Sequence, residues 1–229
     1  MSKSPAGCFV TGTDTGVGKT VVTLGLMQCL QDQGRRVVAM KPLASGCQRT
    51  TQGLRNEDAL LLQRQSSLPV EYDEVNPYAF EPAIAPHLAA AETGCRIELA
   101  TIGAVYRRLA ARADHVCVEG IGGWLVPLNE TQTAADLAAE LELGIILVVG
   151  MRLGCLNHAL LTQAAITAAG LQLVGWVANQ ASPGCERVGE NIAALRSRID
   201  APLLGTVPFL PACSAADVAA CMDPQVRFP

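Results

Sequence analysis

Gly18-Lys19-Thr20 is where this chain carries the residue types needed to handle phosphate. A short apolar run, Cys8 to Gly12, enters a loop of Thr, Asp and Gly that ends in this tripeptide. The loop opens into a helical pattern carried by Leu24, Leu26, Met27 and Leu30. Backbone N–H groups of such a loop form a concave nest for an anion, and the helix N-terminus behind them adds partial positive charge. Lys19 is placed to reach the outer phosphates of a nucleotide, and the Thr20 hydroxyl to ligate Mg²⁺. One register is off. The loop pattern places its first glycine at position 13, where this chain has Thr13, and Gly12 stands one residue early. A Gly-Lys-Thr tripeptide alone is common; the strand before it and the helix after it favour nucleotide binding over a plain turn.

Asp58 and Glu119 are the acidic candidates to share a cation with Thr20, because Mg²⁺ takes oxygen ligands and is usually held by one or two carboxylates plus substrate phosphates. Glu119 ends an apolar run and precedes Gly120-Ile121-Gly122-Gly123, which is where a Walker-B-type acid belongs; a solvent-facing strand end is the plainer reading. Asp58 opens a helical stretch. It either ligates or simply favours the helix dipole and cap, and the pattern leaves both open. Lys41 stands at a second strand end, before Pro42. Lysines usually lie on surfaces and cover apolar area with their stems. Two lysines converging on one phosphate site instead suggest a reaction that develops extra negative charge, such as phosphoryl transfer to an acceptor.

Elements that would position these groups are legible as apolar runs of strand length at Cys8–Gly12, Arg36–Met40, His115–Val118, Ile145–Gly150, Leu173–Val177 and Leu203–Val207. Between them lie helical stretches at Thr20–Gln31, Asp58–Gln65, Ile97–Ala113, Ala134–Leu141, Asn157–Ala169 and Arg187–Ile199. Continuously hydrophobic strands alternating with helices predict a single α/β domain of the P-loop NTPase type, a mostly parallel doubly wound sheet with helices on both faces. Ligands of such sheets bind beyond the carboxyl ends of the strands. Polar or Gly-rich residues stand there after all six runs, including Ser45-Gly46, Gly154-Cys155, Asn179-Gln180 and Pro208-Phe209. The stretch from Gln48 to Thr93, punctuated by Pro69, Pro77, Pro82 and Pro86, reads as a long excursion over the site. One domain over residues 1–229 is expected, with residues 1–6 and 212–229 as frayed tails.

The chain has 229 residues, half of them hydrophobic and 17% charged, so disorder does not describe most of it. A net charge of −4 gives no electrostatic case for a nucleic-acid partner. No apolar run is long enough to span a membrane; the longest, Gly144 to Gly150, fits a buried strand. Met1-Ser2-Lys3-Ser4-Pro5 lacks the apolar core of a signal peptide, which makes a cytoplasmic location the expectation. Nine cysteines form no C-x-x-C pair and resemble no disulfide framework, so all nine read as small hydrophobes, and His87, His115 and His158 show no metal-ligand spacing.

Beyond the loop, the chain closely resembles the dethiobiotin synthetases from about Phe9 to Pro208. The resemblance is carried by Phe9-Val10-Thr11-Gly12-Thr13-Asp14-Thr15, Val17-Gly18-Lys19-Thr20, Lys41-Pro42 with Ala44-Ser45-Gly46, and Gly53-Leu54-Arg55-Asn56 with Asp58-Ala59. It continues in Val75-Asn76-Pro77-Tyr78, Pro86-His87, Val118-Glu119-Gly120 with Gly122-Gly123-Trp124, Leu153-Gly154-Cys155 with Asn157-His158-Ala159, Gly175-Trp176-Val177-Ala178-Asn179 and Pro202-Leu203-Leu204-Gly205. The resemblance implies an ATP- and Mg²⁺-dependent cyclo-ligase of biotin biosynthesis. In that family 7,8-diaminononanoate takes up CO₂ as a carbamate, ATP phosphorylates the carbamate to a mixed anhydride, and the neighbouring amine expels phosphate to give dethiobiotin and ADP.

Carried onto matching positions, Gly16, Val17, Gly18, Lys19, Thr20 and Val21 would wrap the phosphates, with Thr20, Asp58 and Glu119 around Mg²⁺. Thr15, Lys19, Lys41 and Ser45 would surround the carbamate and the transferred phosphoryl group, with Lys41 stabilising transition-state charge. Gly120, Ile121 and Gly122 would line the floor, and Asn179, Gln180, Pro208, Phe209 and Leu210 would hold the adenine. The resemblance further implies a homodimer in which the turn Leu153, Gly154, Cys155 to Asn157 of one subunit holds the distant carboxylate of the other's substrate.

The chain departs from the family at Gly16, where better-known members carry an acid, and at Asn191, where a relative places a tyrosine. Rival classes fit less well. Partition-type switch ATPases carry a lysine where this chain has Asp14, and a GTPase would want Asn-Lys-x-Asp where it has Val177-Ala178-Asn179-Gln180. An amidotransferase-linked enzyme would add a domain with a nucleophilic cysteine, for which the chain has no room.

Overall fold

β1 (Ala6–Gly12) takes a central place in the sheet, with two strands from the second half of the chain beside it. The structure, a computed structural model, describes residues 6–223. In chain order the remaining strands are β2 (Val37–Met40), β3 (Leu43–Ala44), β4 (Gln48–Thr50), β5 (Gly53–Arg55), β6 (Tyr78–Ala79), β7 (His115–Glu119), β8 (Gly144–Gly150), β9 (Leu173–Asn179) and β10 (Leu203–Val207). The helices are α1 (Lys19–Asp32), α2 (Glu57–Gln65), α3 (Tyr72–Val75), α4 (Pro86–Glu92), α5 (Leu99–Ala110), α6 (Ala134–Glu140), α7 (Cys155–Ala168), α8 (Val188–Arg196) and α9 (Ala215–Ala219).

Six strands form one parallel sheet in the order β10-β9-β8-β1-β7-β2. Chain direction across the sheet reverses at β1, the switch point where a crevice opens beyond the strand ends. Side chains alternate between the two faces. Cys8 and Val10 of β1 and Cys117 of β7 join a core with Leu26, Met27 and Leu30 of α1, while Phe9 and Val118 turn to the opposite core with Ile102 and Leu109 of α5. Trp176 of β9, fully buried, anchors a third cluster with Leu147, Ala159 and Leu195 beneath α7 and α8. Burial on both faces explains why these strands read as unbroken apolar runs.

The excursion from Gln48 to Thr93 carries elements of its own: β4 and β5 form a hairpin, α2, α3 and α4 lie within it, and β6 pairs with β3. The expected fraying from residue 212 does not hold as far as 223. Ser214 and Asp217 cap α9 reciprocally, and Val218, buried, lies where a Cβ on Gly25 of α1 would meet its Cγ1 at 2.5 Å. Such close helix approach needs a glycine on one side. Fraying expected at residues 1–5 and 224–229 lies outside the described residues. Among the described residues, no helix is long and apolar enough to cross a membrane.

Candidate functional site

The loop after β1 is held in shape before any ligand is considered. Thr13 N donates to Val148 O of β8 at 3.0 Å and Thr13 Oγ1 accepts from Gly150 N at 3.3 Å, so the residue in the off-register position ties the loop to the sheet. Gly12 is required a residue earlier because a Cβ there would meet Val17 Cγ2 at 2.6 Å. Gly18 is left-handed, φ 85°, and caps α1 with no side-chain bond, which leaves the first N–H groups of the helix aimed out of the fold. Asn179, 3% exposed at the end of β9, donates from Nδ2 to Val17 O at 2.7 Å and so clamps the loop from a strand end two places along the sheet.

Four charged side chains, Lys19, Lys41, Asp58 and Glu119, meet in front of this loop. Lys19 Nζ donates to Gly122 O at 2.7 Å and to Asp14 O at 3.2 Å. Burial draws its ammonium down to about 8; Glu119 pulls it up and Lys41 pushes it down. Lys41 Nζ donates to Glu119 Oε1 at 2.5 Å and lies 3.3 Å from Asp58 Oδ2. Burial lowers the Lys41 ammonium as well, but Glu119 and then Asp58 outweigh it, and the group is raised above its ordinary range. Thr20 Oγ1 donates to the same Glu119 oxygen at 2.9 Å.

The second Glu119 oxygen, Oε2, is buried without a hydrogen-bond partner among the described residues. A lone buried carboxylate oxygen, a threonine hydroxyl and the partly exposed Asp58 carboxylate form an all-oxygen donor set, which fits a hard divalent cation such as Mg²⁺. Capping of α2 falls to Asn56, whose Oδ1 accepts from Ala59 N at 3.1 Å. Asp58 is therefore not needed as the cap.

A cavity of about 790 Å³ opens over these groups. Of the residues singled out in the sequence, Thr15, Gly16, Gly18, Lys19, Thr20, Val21, Lys41, Ser45, Asp58, Glu119, Ile121, Gly122, Asn179, Gln180, Pro208, Phe209 and Leu210 line it. Ser45 Oγ is buried there with no partner. Val17 and Gly120 do not line it. Val17 packs into the core against Gly12 and Gly150, and Gly120 approaches the Phe9 ring so closely that a Cβ would meet it at 3.0 Å. Leu153, Gly154, Cys155 and Asn157 also lie outside it, at the start of α7, where Leu153 is fully exposed and Gly154 is left-handed.

Other participants carried no legible signal. Asn56, the Ala83–Pro86 segment, Val126 and Cys213 also line the cavity. Asp14 pairs with Arg152 through its Oδ2 and accepts from Thr15 N at 2.7 Å through Oδ1, which links the loop to the turn before α7. His115, for which the sequence shows no metal-ligand spacing, lies with Cys8 and Cys117.

Comparison with known proteins follows this geometry. A family model described as AAA domain matches residues 6–217. A relative named ATP-dependent dethiobiotin synthetase BioD, from Xanthomonas oryzae pv. oryzae (strain PXO99A), is 50% identical over 212 residues, covering 93% of this chain and 95% of that protein. A relative of the same name from Pseudomonas paraeruginosa (strain DSM 24068 / PA7) is 53% identical over 216 residues, 94% of this chain and 95% of that one. Among solved structures, the MinD cell division protein of Aquifex aeolicus superposes with a TM-score of 0.56 at 14% identity, covering 95% of this chain and 87% of that chain. A ParA family ATPase from Chlorobium tepidum TLS gives 0.55 at 12% identity, covering 95% and 90%. At such identity these two speak for the fold alone, the single-domain P-loop NTPase architecture.

Proposed function

The chain belongs to the ATP-dependent dethiobiotin synthetases, ligases that close a ring by forming C–N bonds, and from that premise we propose how its own residues divide the work. The substrates are 7,8-diaminononanoate, CO₂ and ATP, and the first event is a carbamate formed between CO₂ and one amine. Two lysines, a buried threonine–carboxylate pair and an unpartnered serine hydroxyl facing one cavity are the observation that carries this reading. A site that only hydrolysed nucleotide would have no use for a second buried ammonium opposite the phosphate loop.

In this scheme the orphan N–H groups of α1 and the Lys19 ammonium hold the β- and γ-phosphates. Thr15 and Ser45 orient the carbamate by hydrogen bonding. Its oxygen attacks the γ-phosphorus, the bond to the β,γ-bridging oxygen breaks, and ADP leaves. Lys41 stabilises negative charge on the transferring phosphoryl group. The second amine then attacks the carbonyl carbon of the mixed anhydride, closing the ring with loss of phosphate and a proton. Thr20, Asp58 and Glu119 would hold Mg²⁺, which supplies charge neutralisation between phosphate oxygens. Gln180, Phe209 and Leu210 border the adenine, and Asn179 keeps an amide oxygen for it because its Nδ2 serves Val17.

The active unit in this reading is a homodimer. The Leu153–Asn157 turn lies outside its own cavity, fully exposed at Leu153, and is suited to receive the substrate carboxylate of a second copy at a helix N-terminus. The exposed Leu125 and Leu161 support the same assembly. The test supplies the full chain with ATP, Mg²⁺, the diamine and labelled bicarbonate. Label in an acid-stable cyclic product is expected; nucleotide hydrolysis without labelled product defeats the reading.

A further inference from the structure

Cys8, His115 and Cys117 stand together on the adjacent strands β1 and β7, on the sheet face that α1 covers, towards the strand ends away from the phosphate loop. Cys8 of β1 faces Cys117 of β7 directly in register, and His115, two residues earlier on β7, projects from the same face. All three are fully buried, and one donor atom from each lies within 4.8 Å of the other two. Along the strands Cys8 lies four positions before Gly12 and His115 four before Glu119, roughly 13 Å, while Cys117 lies two before Glu119, roughly 7 Å.

Reduced cysteine in a core is ordinarily a small hydrophobe. An imidazole beside two such thiols, next to a cluster that contains Leu26, Met27, Leu30 and Ile146, brings three metal-ligating groups together in an apolar interior. Two thiolates and an imidazole are a soft donor set of the kind that takes zinc and its heavier congeners rather than Mg²⁺. With metal–sulfur bonds of about 2.3 Å and metal–nitrogen bonds of about 2.0 Å, donors sit roughly 3.5–3.8 Å apart, so separations within 4.8 Å need contract by about 1 Å at most. Charge selects the oxidation state. Two thiolates cancel a divalent cation, whereas a monovalent one would leave a net negative charge in an apolar interior.

We propose that Cys8, His115 and Cys117 form a buried three-donor site for a soft divalent cation of the zinc class. Binding exchanges the two thiol protons, released to solvent, for two metal–sulfur bonds and one metal–nitrogen bond, and it crosslinks β1 to β7. Because the site is sealed, loading accompanies folding.

The probe is Cd²⁺. The full chain is refolded from denaturant with Cd²⁺ and excess Mg²⁺, then separated from free metal. One Cd²⁺ per chain, a thiolate-to-cadmium absorption band and a raised melting temperature are expected. Cys8→Ala and Cys117→Ala should lose the band and the bound metal, while Cys29→Ala, a buried cysteine outside the group, should keep both. Metal retained by the Cys8 and Cys117 variants, or no thiolate band in the wild type, overturns the proposal. Should those variants fail to fold, X-ray absorption of the Zn²⁺-loaded wild type decides. Two sulfurs and one imidazole nitrogen support the site; an oxygen-only shell places the metal with Thr20, Asp58 and Glu119 and overturns it.

Discussion

Lys41 Nζ lies 2.5 Å from Glu119 Oε1, with 7% and 1% of the two side chains exposed. Strand order brings them together: Met40 of β2 faces Val118 of β7, and the next residue along each strand ends at the site. An ion pair buried this deeply is self-supporting only while both partners are present. Removing one leaves an uncompensated charge, whereas replacing both by neutral groups need not cost stability.

Lys41 therefore has a structural role and a proposed chemical one, and two variants separate them. Lys41→Met should lower stability by about 3–5 kcal/mol in denaturant titration, and Lys41→Met combined with Glu119→Gln should recover most of that loss. In assays of the single variant, turnover should fall by roughly 10²–10³ while ATP affinity changes little. Lys19→Met should damage both. Normal turnover in Lys41→Met removes Lys41 from the chemistry, whatever the denaturant data show.

Lys19 sets a pH limit on nucleotide binding. Its ammonium is drawn down to about 8 in the free protein, chiefly by burial. Bound phosphates favour the charged form and raise this value in the complex, so binding takes up a proton once the free lysine has lost its own. Below pH 8 the lysine adds no pH dependence. Above it, ATP affinity should fall by up to about tenfold per pH unit, until the complex itself titrates. Calorimetry in buffers of different ionisation enthalpy should detect the uptake. Lys19→Arg, permanently charged, should abolish it, and a flat wild-type profile through that window contradicts the assignment.

Asp58→Asn tests the cation set. Because Asn56 caps α2, this change should leave the fold's melting temperature nearly unchanged while raising the Mg²⁺ concentration for half-maximal activity about tenfold. The measurement is a metal titration at saturating ATP. An unchanged half-point returns Asp58 to a pairing role with Lys41 alone.

The sheet and its ligand edge were legible because burial on both faces writes strands such as Ile145–Gly150 as uninterrupted apolar runs, and because the loop chemistry follows each run. Pairings between distant strands were not. The Lys41–Glu119 contact and the Cys8–His115–Cys117 group both depend on β7 lying next to β1 and β2, and hydropathy carries no strand order. α9 escaped notice because five residues give too short a period, and its signal is the Ser214–Asp217 capping box rather than amphipathicity. Asp14 looked significant only for not being a lysine; its bond to Arg152 joins residues 138 apart in sequence.

Gly18 and Asn179 form a lock whose parts can be tested against each other. Gly18 sits at φ 85°, where an L-residue costs roughly 1–2 kcal/mol, and a Cβ there would lie 2.2 Å from Asn179 Nδ2. Gly18→Ala thus adds backbone strain and also pushes away the amide that holds Val17 O. Asn179→Ala removes the clamp but leaves the backbone relaxed. Each should weaken ATP binding about tenfold or more. In the double variant the clash has no partner and the clamp is already gone, so only the backbone strain adds to the Asn179→Ala loss. Its total should fall short of the sum of the single losses by at least about 0.5 kcal/mol, the scale of coupling between touching residues. Strict additivity, read from ATP titrations of all four proteins, would mean that Gly18 acts through φ alone and that Gly18→Ala leaves the Asn179 clamp intact.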